Sequence, residues 1–233
     1  MFLERKNSIS LYQLQSQVAK EDIGPGLENQ LESLWQLIEM QQVYSSAMSE
    51  LGTKLDILDD EFQLHHKHNP IHHMERRLKQ PKSIFDKMKQ RGLPLNIETA
   101  RKEIYDIAGI RVVCNYIEDV YAIEELLLFQ SDIKLIQRKD YIHSPKPNGY
   151  RSLHLIVTVP VFLSDHKEDI PVEIQIRTIA MDYWAGLEHR LCYKNMDEAT
   201  EAYAGQLKTC AEQLSAIEQS MQQIHRQIDR QIN

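Results

Sequence analysis

The chain has 233 residues, 26% of them charged and 42% apolar, with only 8 glycines and 8 prolines, which excludes a disordered or collagen-like polymer and fits one large domain or one domain with helical appendages. A formal charge of −7 argues against a non-specific nucleic-acid coat, whose affinity comes from many cations on phosphates. The opening MFLERKNSIS has no apolar signal core, no stretch approaches the roughly 20 apolar residues of a membrane helix, and Cys114, Cys192 and Cys210 form no CxxC and read as packing thiols, so a cytoplasmic protein without a membrane partner is expected.

From Leu27 to about Lys67 an apolar residue returns every three or four positions, at Leu27, Leu31, Leu34 and Ile38 and again at Leu51, Leu55, Leu58 and Phe62, which predicts a helical N-terminal third. GPG at 24–26 and Asn69-Pro70 break the chain before and after it. Two short helices are predicted next, from Ile71 and from Pro81. Beyond Ala108 and Gly109 the runs IRVVCNY, DIKLIQRKDYI, RSLHLIVTV and PVEIQIRT predict strands, and EDVYAIEELLLFQ between the first two predicts a helical crossover. The fold class is α/β, a sheet covered by helices. In the last strand Val172, Ile174 and Ile176 share one face, and Glu173, Gln175 and Arg177 the other. Near the C-terminus Leu207, Cys210, Leu214, Ile217, Met221, Ile224 and Ile228 form a coiled-coil-like seam, suited either to packing on its own domain or to contact with another copy. The chain thus divides into N-terminal helices (1–67), a core (68–195) and a C-terminal helix (196–233).

Between Arg76 and Lys102 nine lysines and arginines face two acids, a local +7 inside an acidic chain. Such segregation reads as an anion site, although a solvated basic helix face would also produce it. Asp106 falls in the turn before the first strand with Arg111 just inside it, and Glu173 lies on a polar strand face. Two converging carboxylates suit Mg²⁺, which is commonly held by one or two of them together with substrate phosphates; ion pairing with the basic residues is the alternative. In PKPNGYRSLH (145–154), Asn148 and Gly149 make a turn, Lys146 offers a charge, Tyr150 a flat ring and His154 a donor, as a nucleotide-binding loop requires. A plain hairpin turn would explain only Asn148 and Gly149. No GxxxxGK[ST] or GxGxxG is present, which excludes a P-loop or Rossmann site. HHKHNPIHH (65–73) lacks HExxH and HD patterns and reads as structural, with stray zinc as its alternative ligand.

In order, IHHMERRLKQPKSIFDKMKQRG, DIAGIRVVCNY, KDYIHSPKPNGYRSLHL, VEIQIRTIAMDYWAGLEH and YK resemble the synthetase domain of the RelA/SpoT family, and in particular its stand-alone small alarmone synthetases, over roughly residues 30 to 200. The resemblance implies a nucleotidyltransferase-like fold, a mixed sheet of about five strands covered by helices with helical N- and C-terminal extensions. It also implies transfer of the β,γ-diphosphate of ATP to the 3′-hydroxyl of GTP or GDP, giving (p)ppGpp and AMP, without hydrolysis of the product. By motif position it places Arg77 and Arg111 at adenine, Lys87 on the ATP phosphates, and Lys79, Ser83 and Lys139 along the phosphate path. Asp106 and Glu173 would be the catalytic pair holding Mg²⁺, with Glu173 assisting deprotonation of the 3′-hydroxyl. Tyr150 would stack on guanine, Lys146 and His154 would bind acceptor phosphates, and Asn148 and Gln175 would support the acceptor. Gln90 stands where many relatives have arginine, and Asp182 where some have asparagine. The resemblance further implies a homotetramer closed by terminal helices. Its product alarmone, RNA or zinc are candidate effectors, with the DDEFQLHHKHNPIHH stretch pointing to the branch without strong product stimulation. The competing readings are a nucleotide- or RNA-binding regulator that retains the pocket without turnover, and a structural scaffold.

Overall fold

Alternation along the strands builds a sheet with one apolar and one polar face. The computed structural model describes residues 25–194 and 199–232, and its strands form one sheet in the order β1-β2-β5-β4-β3. These are β1 Ile71–Leu78, β2 Ala108–Cys114, β3 Lys134–Asp140, β4 Leu153–Phe162 and β5 Lys167–Thr178. The helices among the described residues are α1 Pro25–His65, α2 Pro81–Gln90, α3 Ile97–Glu103, α4 Ile117–Leu128, α5 Ile179–Lys194 and α6 Ala199–Ile232. β2 and β5 are parallel and the other neighbours antiparallel, so α4 carries the chain across the positions that β5 and β4 fill. None of the described helices is long and apolar enough to cross a membrane.

The apolar face buries Val112, Leu155, Val157, Val172 and Ile174 against Met40, Tyr44, Ala47, Leu51 and Leu55 of α1 and Val120, Ile123 and Leu127 of α4. The long N-terminal helix is thus part of the core, but of its predicted apolar stripe only Leu51, Leu55 and Phe62 pack there; Leu34 is exposed, and Met40, Tyr44 and Ala47 take the inner positions instead. Residues 1–24 and 195–198 of the predicted segments, and the side chains of Leu27 and Cys192, lie outside the described residues.

Two expectations are corrected, and the two open alternatives for the C-terminal seam are narrowed. Ile71 starts an edge strand, not a helix: β1 is fixed by antiparallel backbone pairing to β2, and most of its side chains, in IHHMERRL, face outward and show no apolar alternation. Cys114 is buried as expected, but Cys210 is exposed. The C-terminal seam is turned away from the domain for most of its length. Ile217, Met221, Ile224 and Ile228 are 48–61% exposed, while the opposite stripe Ala211, Ser215, Glu218 and Gln222 is buried. The inner stripe is anchored at two points: Ala211 packs with Trp184 and Ala185, and Gln222 accepts the N–H of Ile117, one of the unpaired donors at the start of α4, while Arg226 pairs with Glu118 at the surface.

α6 also bears on the loop before β4. Gly149 sits at φ +92°, and a Cβ there would lie 2.7 Å from the Cβ of Ala211. Both the left-handed backbone and the close approach require glycine. Gly149→Ala is expected to destabilise the protein by about 2–3 kcal/mol, combining left-handed strain with overpacking, measured as a fall in the denaturant midpoint.

Candidate active site

Strand register arranges the polar face into two adjacent rows. One runs Arg77, Gly109, Glu173, Ile156, Gln137 from β1 to β3, and the next runs Glu75, Arg111, Gln175, His154, Lys139. Asp106 enters from the turn before β2, Lys79 from the residue after β1, and Lys87 from α2. Charges gathered on one sheet face are stabilised by pairing, and those around the two carboxylates and Arg111 are paired. Asp106 Oδ2 accepts from Lys79 Nζ at 2.5 Å and Lys87 Nζ at 2.6 Å. Glu173 accepts from Gln175 Nε2 at 2.9 Å, and its other oxygen lies 3.3 Å from His154 Nδ1. Arg111 is held by Glu75 at 2.9 Å and Asp182 at 3.4 Å.

Two clefts open on this face. The first, about 260 Å³, is lined by Glu75, Arg76, Arg77, Lys79 and Arg111 with Gly109, Ile110 and Gln175. The second, about 250 Å³, is lined by Lys87, Arg91, Lys139, Lys146 and His154 with Glu103, Tyr105, Gln137, Tyr141 and Ile156. Asp106 and Glu173 line both. The two carboxylates therefore form the wall where two cation-rich clefts meet.

Their ionisation follows from their neighbours. Burial pushes the Asp106 carboxyl up, but hydrogen bonds and charge from Lys79 and Lys87 outweigh it and hold it below the usual carboxylate range. Burial acts likewise on Glu173, where His154 and Gln175 prevail and the carboxyl is again lowered. Lys79 is drawn below the usual lysine range by burial, which Asp106 offsets only in part.

Residues 76–198 match a region found in RelA/SpoT proteins. GTP pyrophosphokinase YwaC of Bacillus subtilis is 41% identical over 187 residues, 80% of this chain and 89% of that protein. GTP pyrophosphokinase YjbM of the same organism is 34% identical over 186 residues, 79% and 86% of the two chains. The chain belongs to the RelA/SpoT family. Small alarmone synthetase 1 of Bacillus subtilis, solved with its product pppGpp, aligns with a TM-score of 0.78 at 31% identity, covering 83% of this chain and 98% of that one. Small alarmone synthetase 2 aligns at 0.74 with 39% identity, covering 82% and 98%. The five-stranded mixed sheet with helical ends is the fold shared with these synthetases.

Within this RelA/SpoT fold, Arg77, Lys79 and Arg111 line the first cleft and Lys146 and His154 the second. Lys87 and Lys139, expected on the donor side, line the second cleft, and Gln175, expected with the acceptor, lines the first. Ser83 lines neither. Asn148 shapes the loop, its Oδ1 accepting from the Tyr150 N–H at 3.1 Å and its amide donating to Glu188. Tyr150 stands behind the second cleft with its hydroxyl 2.7 Å from His154 Nε2 and the Lys146 ammonium 4.7 Å from its ring centroid. Sequence reasoning missed Tyr141, whose ring meets both Tyr150 and His154, as well as Tyr105, Arg91 and Glu75. Arg91 was counted in the basic run, and Tyr141 sits in the KDYI motif, so both carried a signal. Among the described residues no group of three or more His, Cys, Asp or Glu is arranged to hold a metal. In the histidine-rich stretch, His68 pairs with Asp119 at 2.9 Å.

Because Asp106 titrates lower folded than unfolded, its contribution to stability is present above the unfolded value near pH ~4 and is lost as pH falls through the folded one. Asp106→Asn should cost about 2 kcal/mol at pH 7 by leaving two lysines facing each other, and denaturant titrations should show the gap to the parent closing below about pH 4.

Proposed function

We propose that ATP occupies the first cleft and GTP or GDP the second, so that the β-phosphorus of ATP and the acceptor 3′-oxygen meet at the wall formed by Asp106 and Glu173. The single observation that carries this reading is that both carboxylates line both clefts. The reaction class is that of the family: a GTP pyrophosphokinase making (p)ppGpp. The 3′-oxygen bonds to the β-phosphorus, the α,β-bridging P–O bond breaks, and AMP leaves while the 3′-hydroxyl gives up its proton.

The chain needs no covalent nucleophile for this; positioning and charge suffice. The guanidinium planes of Arg77 and Arg111 flank the adenine, as cationic planes stack on bases. Lys79 and Lys87 turn from Asp106 toward the transferred phosphates, with Lys139 beside them. Lys146 and His154 meet the acceptor phosphates, and moving Lys146 off the Tyr150 ring bares that face for guanine. Glu173, kept ionised by its donors, orients the 3′-hydroxyl and takes its proton as the new bond forms.

The residues fit a divalent cation. Asp106 Oδ1 is buried with no hydrogen-bond partner, Glu173 shares its cleft wall, and an oxygen-only pair leaves the remaining ligands to phosphate and water, as Mg²⁺ prefers. Bound there, Mg²⁺ would offset the charge on the phosphate oxygens.

Purified protein given ATP, GTP and Mg²⁺ should release AMP and a 3′-pyrophosphorylated guanine nucleotide in equal amounts. Glu173→Gln should lower kcat by on the order of 10³ or more while circular dichroism shows it folded. Nucleotide binding without AMP release by the parent would sink the assignment.

The outward stripe Ile217, Met221, Ile224 and Ile228 gives the proposed homotetramer its contact, since a row of half-exposed aliphatics on one helix face is an association surface. Replacing Ile217 and Met221 together by glutamate should reduce the mass found by light scattering from four copies to fewer, with helix content retained.

A further inference from the structure

Arg177 lines neither cleft, yet it is the most heavily engaged side chain behind them. It is buried near the end of β5, and its guanidinium donates to Ser152 Oγ at 3.3 Å, Asp182 Oδ1 at 3.1 Å, the Tyr150 hydroxyl oxygen at 2.6 Å and Gln175 Oε1 at 2.8 Å. A guanidinium has only donors, so it dictates the direction of every hydrogen bond beyond it. Gln175 must turn its carbonyl oxygen to Arg177, which aims its amide N–H at Glu173 Oε2, 2.9 Å away. Tyr150 must accept from Arg177, which frees its one hydrogen for His154 Nε2 at 2.7 Å. A neutral imidazole that accepts at Nε2 carries its hydrogen on Nδ1, and Nδ1 lies 3.3 Å from Glu173 Oε1. Two chains of hydrogen bonds leave one cation and arrive as donors at the two oxygens of one carboxylate.

We propose that Arg177 is a positioning residue for diphosphate transfer: from outside both clefts it sets the Gln175 amide and the His154 tautomer, so that Glu173 receives a donor on each oxygen and is held in one orientation. The proposal rests on the reading that Glu173 serves the transfer. Without Arg177 only the pull of the Glu173 carboxylate itself opposes a flipped amide or an imidazole whose hydrogen has moved to Nε2. Either change points a lone pair at Glu173, and the carboxylate turns away from the wall shared by the clefts. Asp182 balances the buried charge and also reaches Arg111 at 3.4 Å, which anchors the guanidinium on its far side.

The test uses the full chain, ¹⁵N-labelled at histidine and free of nucleotide, at about pH 8, above the ordinary histidine range. Long-range ¹H–¹⁵N correlation spectra distinguish the two tautomers, and His154→Asn assigns the resonance. In the parent, Nδ1 of His154 should carry the hydrogen. In Arg177→Met, and in Tyr150→Phe, which interrupts only one chain, the hydrogen should pass wholly or partly to Nε2. Arg177→Met should also lower kcat by about 10- to 100-fold, as loss of a supporting partner does, with the KM for ATP within about twofold of the parent. Arg177→Lys, with charge but no fork, should recover only part of the rate. A parent His154 protonated on Nε2, or an unchanged tautomer in both variants, would overturn the proposal whatever the rates. If Arg177→Met does not fold, the parent and Tyr150→Phe spectra decide. Failure of the parent to release AMP would overturn the functional reading instead, and it leaves the tautomer result standing.

Discussion

Everything in the site depends on keeping two carboxylates ionised side by side in a partly buried wall. Each raises the cost of charging the other, and burial adds to that cost for both. The fold answers with separate sets of partners. Asp106 is neutralised by two lysines that precede it in sequence, one just after β1 and one on α2. Glu173 is held by neighbours on its own sheet face, Gln175 two residues along β5 and His154 across on β4. Bringing the pair together also sets the topology. Asp106 precedes β2 and Glu173 lies on β5, and the two strands are parallel, with Gly109 paired to Glu173. Parallel neighbours need a long connection, and here it is α4 followed by β3 and β4, which in turn supply Lys139, His154 and the loop carrying Lys146 and Tyr150. The crossover that makes the carboxylate pair possible thus also builds the second cleft.

The terminal helices differ in what they do for that cleft. α1 uses its apolar stripe on the sheet and closes the core. α6 presses Ala211 against Gly149, so the loop at 145–154 rests directly on it, and Trp184 of α5 donates to the Leu207 carbonyl beside them. Its outer stripe is aliphatic, its inner stripe polar. A helix that meets the loop at 145–154 on one side and exposes an aliphatic stripe on another would tie loop geometry to anything that packed on that stripe.

Much of this was legible in the sequence, and the exceptions have physical causes. Alternation at 172–177 gave both faces of β5, and the crossover helix and the loop at 145–154 were readable because each rests on a local pattern, whereas Asp106 and Glu173 lie far apart in sequence and come together only through the register of β2 with β5. β1 was misread because an edge strand held by backbone pairing needs no apolar period. The direction of the α6 seam was not readable, since a stripe of isoleucines suits packing on its own domain as well as contact with another copy, and only the packing of Ala211 and the Gln222–Ile117 hydrogen bond show which side faces in. Arg177 was placed on the polar face, but its burial follows from Asp182 and Tyr150 closing over it, contacts that no spacing reveals. The side on which Lys139 and Gln175 lie is likewise a matter of how α2 and the loops divide one continuous face into two clefts.

The charge pattern explains why so basic a segment is built around acids. In the free protein Lys79 and Lys87 are already paired with Asp106, and Arg111 with Glu75 and Asp182. A polyphosphate that enters must draw these cations away from their carboxylates. Drawing the lysines off Asp106 leaves a carboxylate whose second oxygen was bare from the start, beside Glu173 and facing an anion. That arrangement is repulsive unless another cation takes the place of the lysines, which is the condition under which two carboxylates and phosphate oxygens favour Mg²⁺. On the proposed function, polyphosphate and divalent cation would then each bind more tightly in the presence of the other, by the same factor, because linkage is reciprocal. In that reading the lysine–aspartate pairs are the source of the coupling: they stabilise the wall in the free protein, and a ligand that brings both charges would be the one to break them.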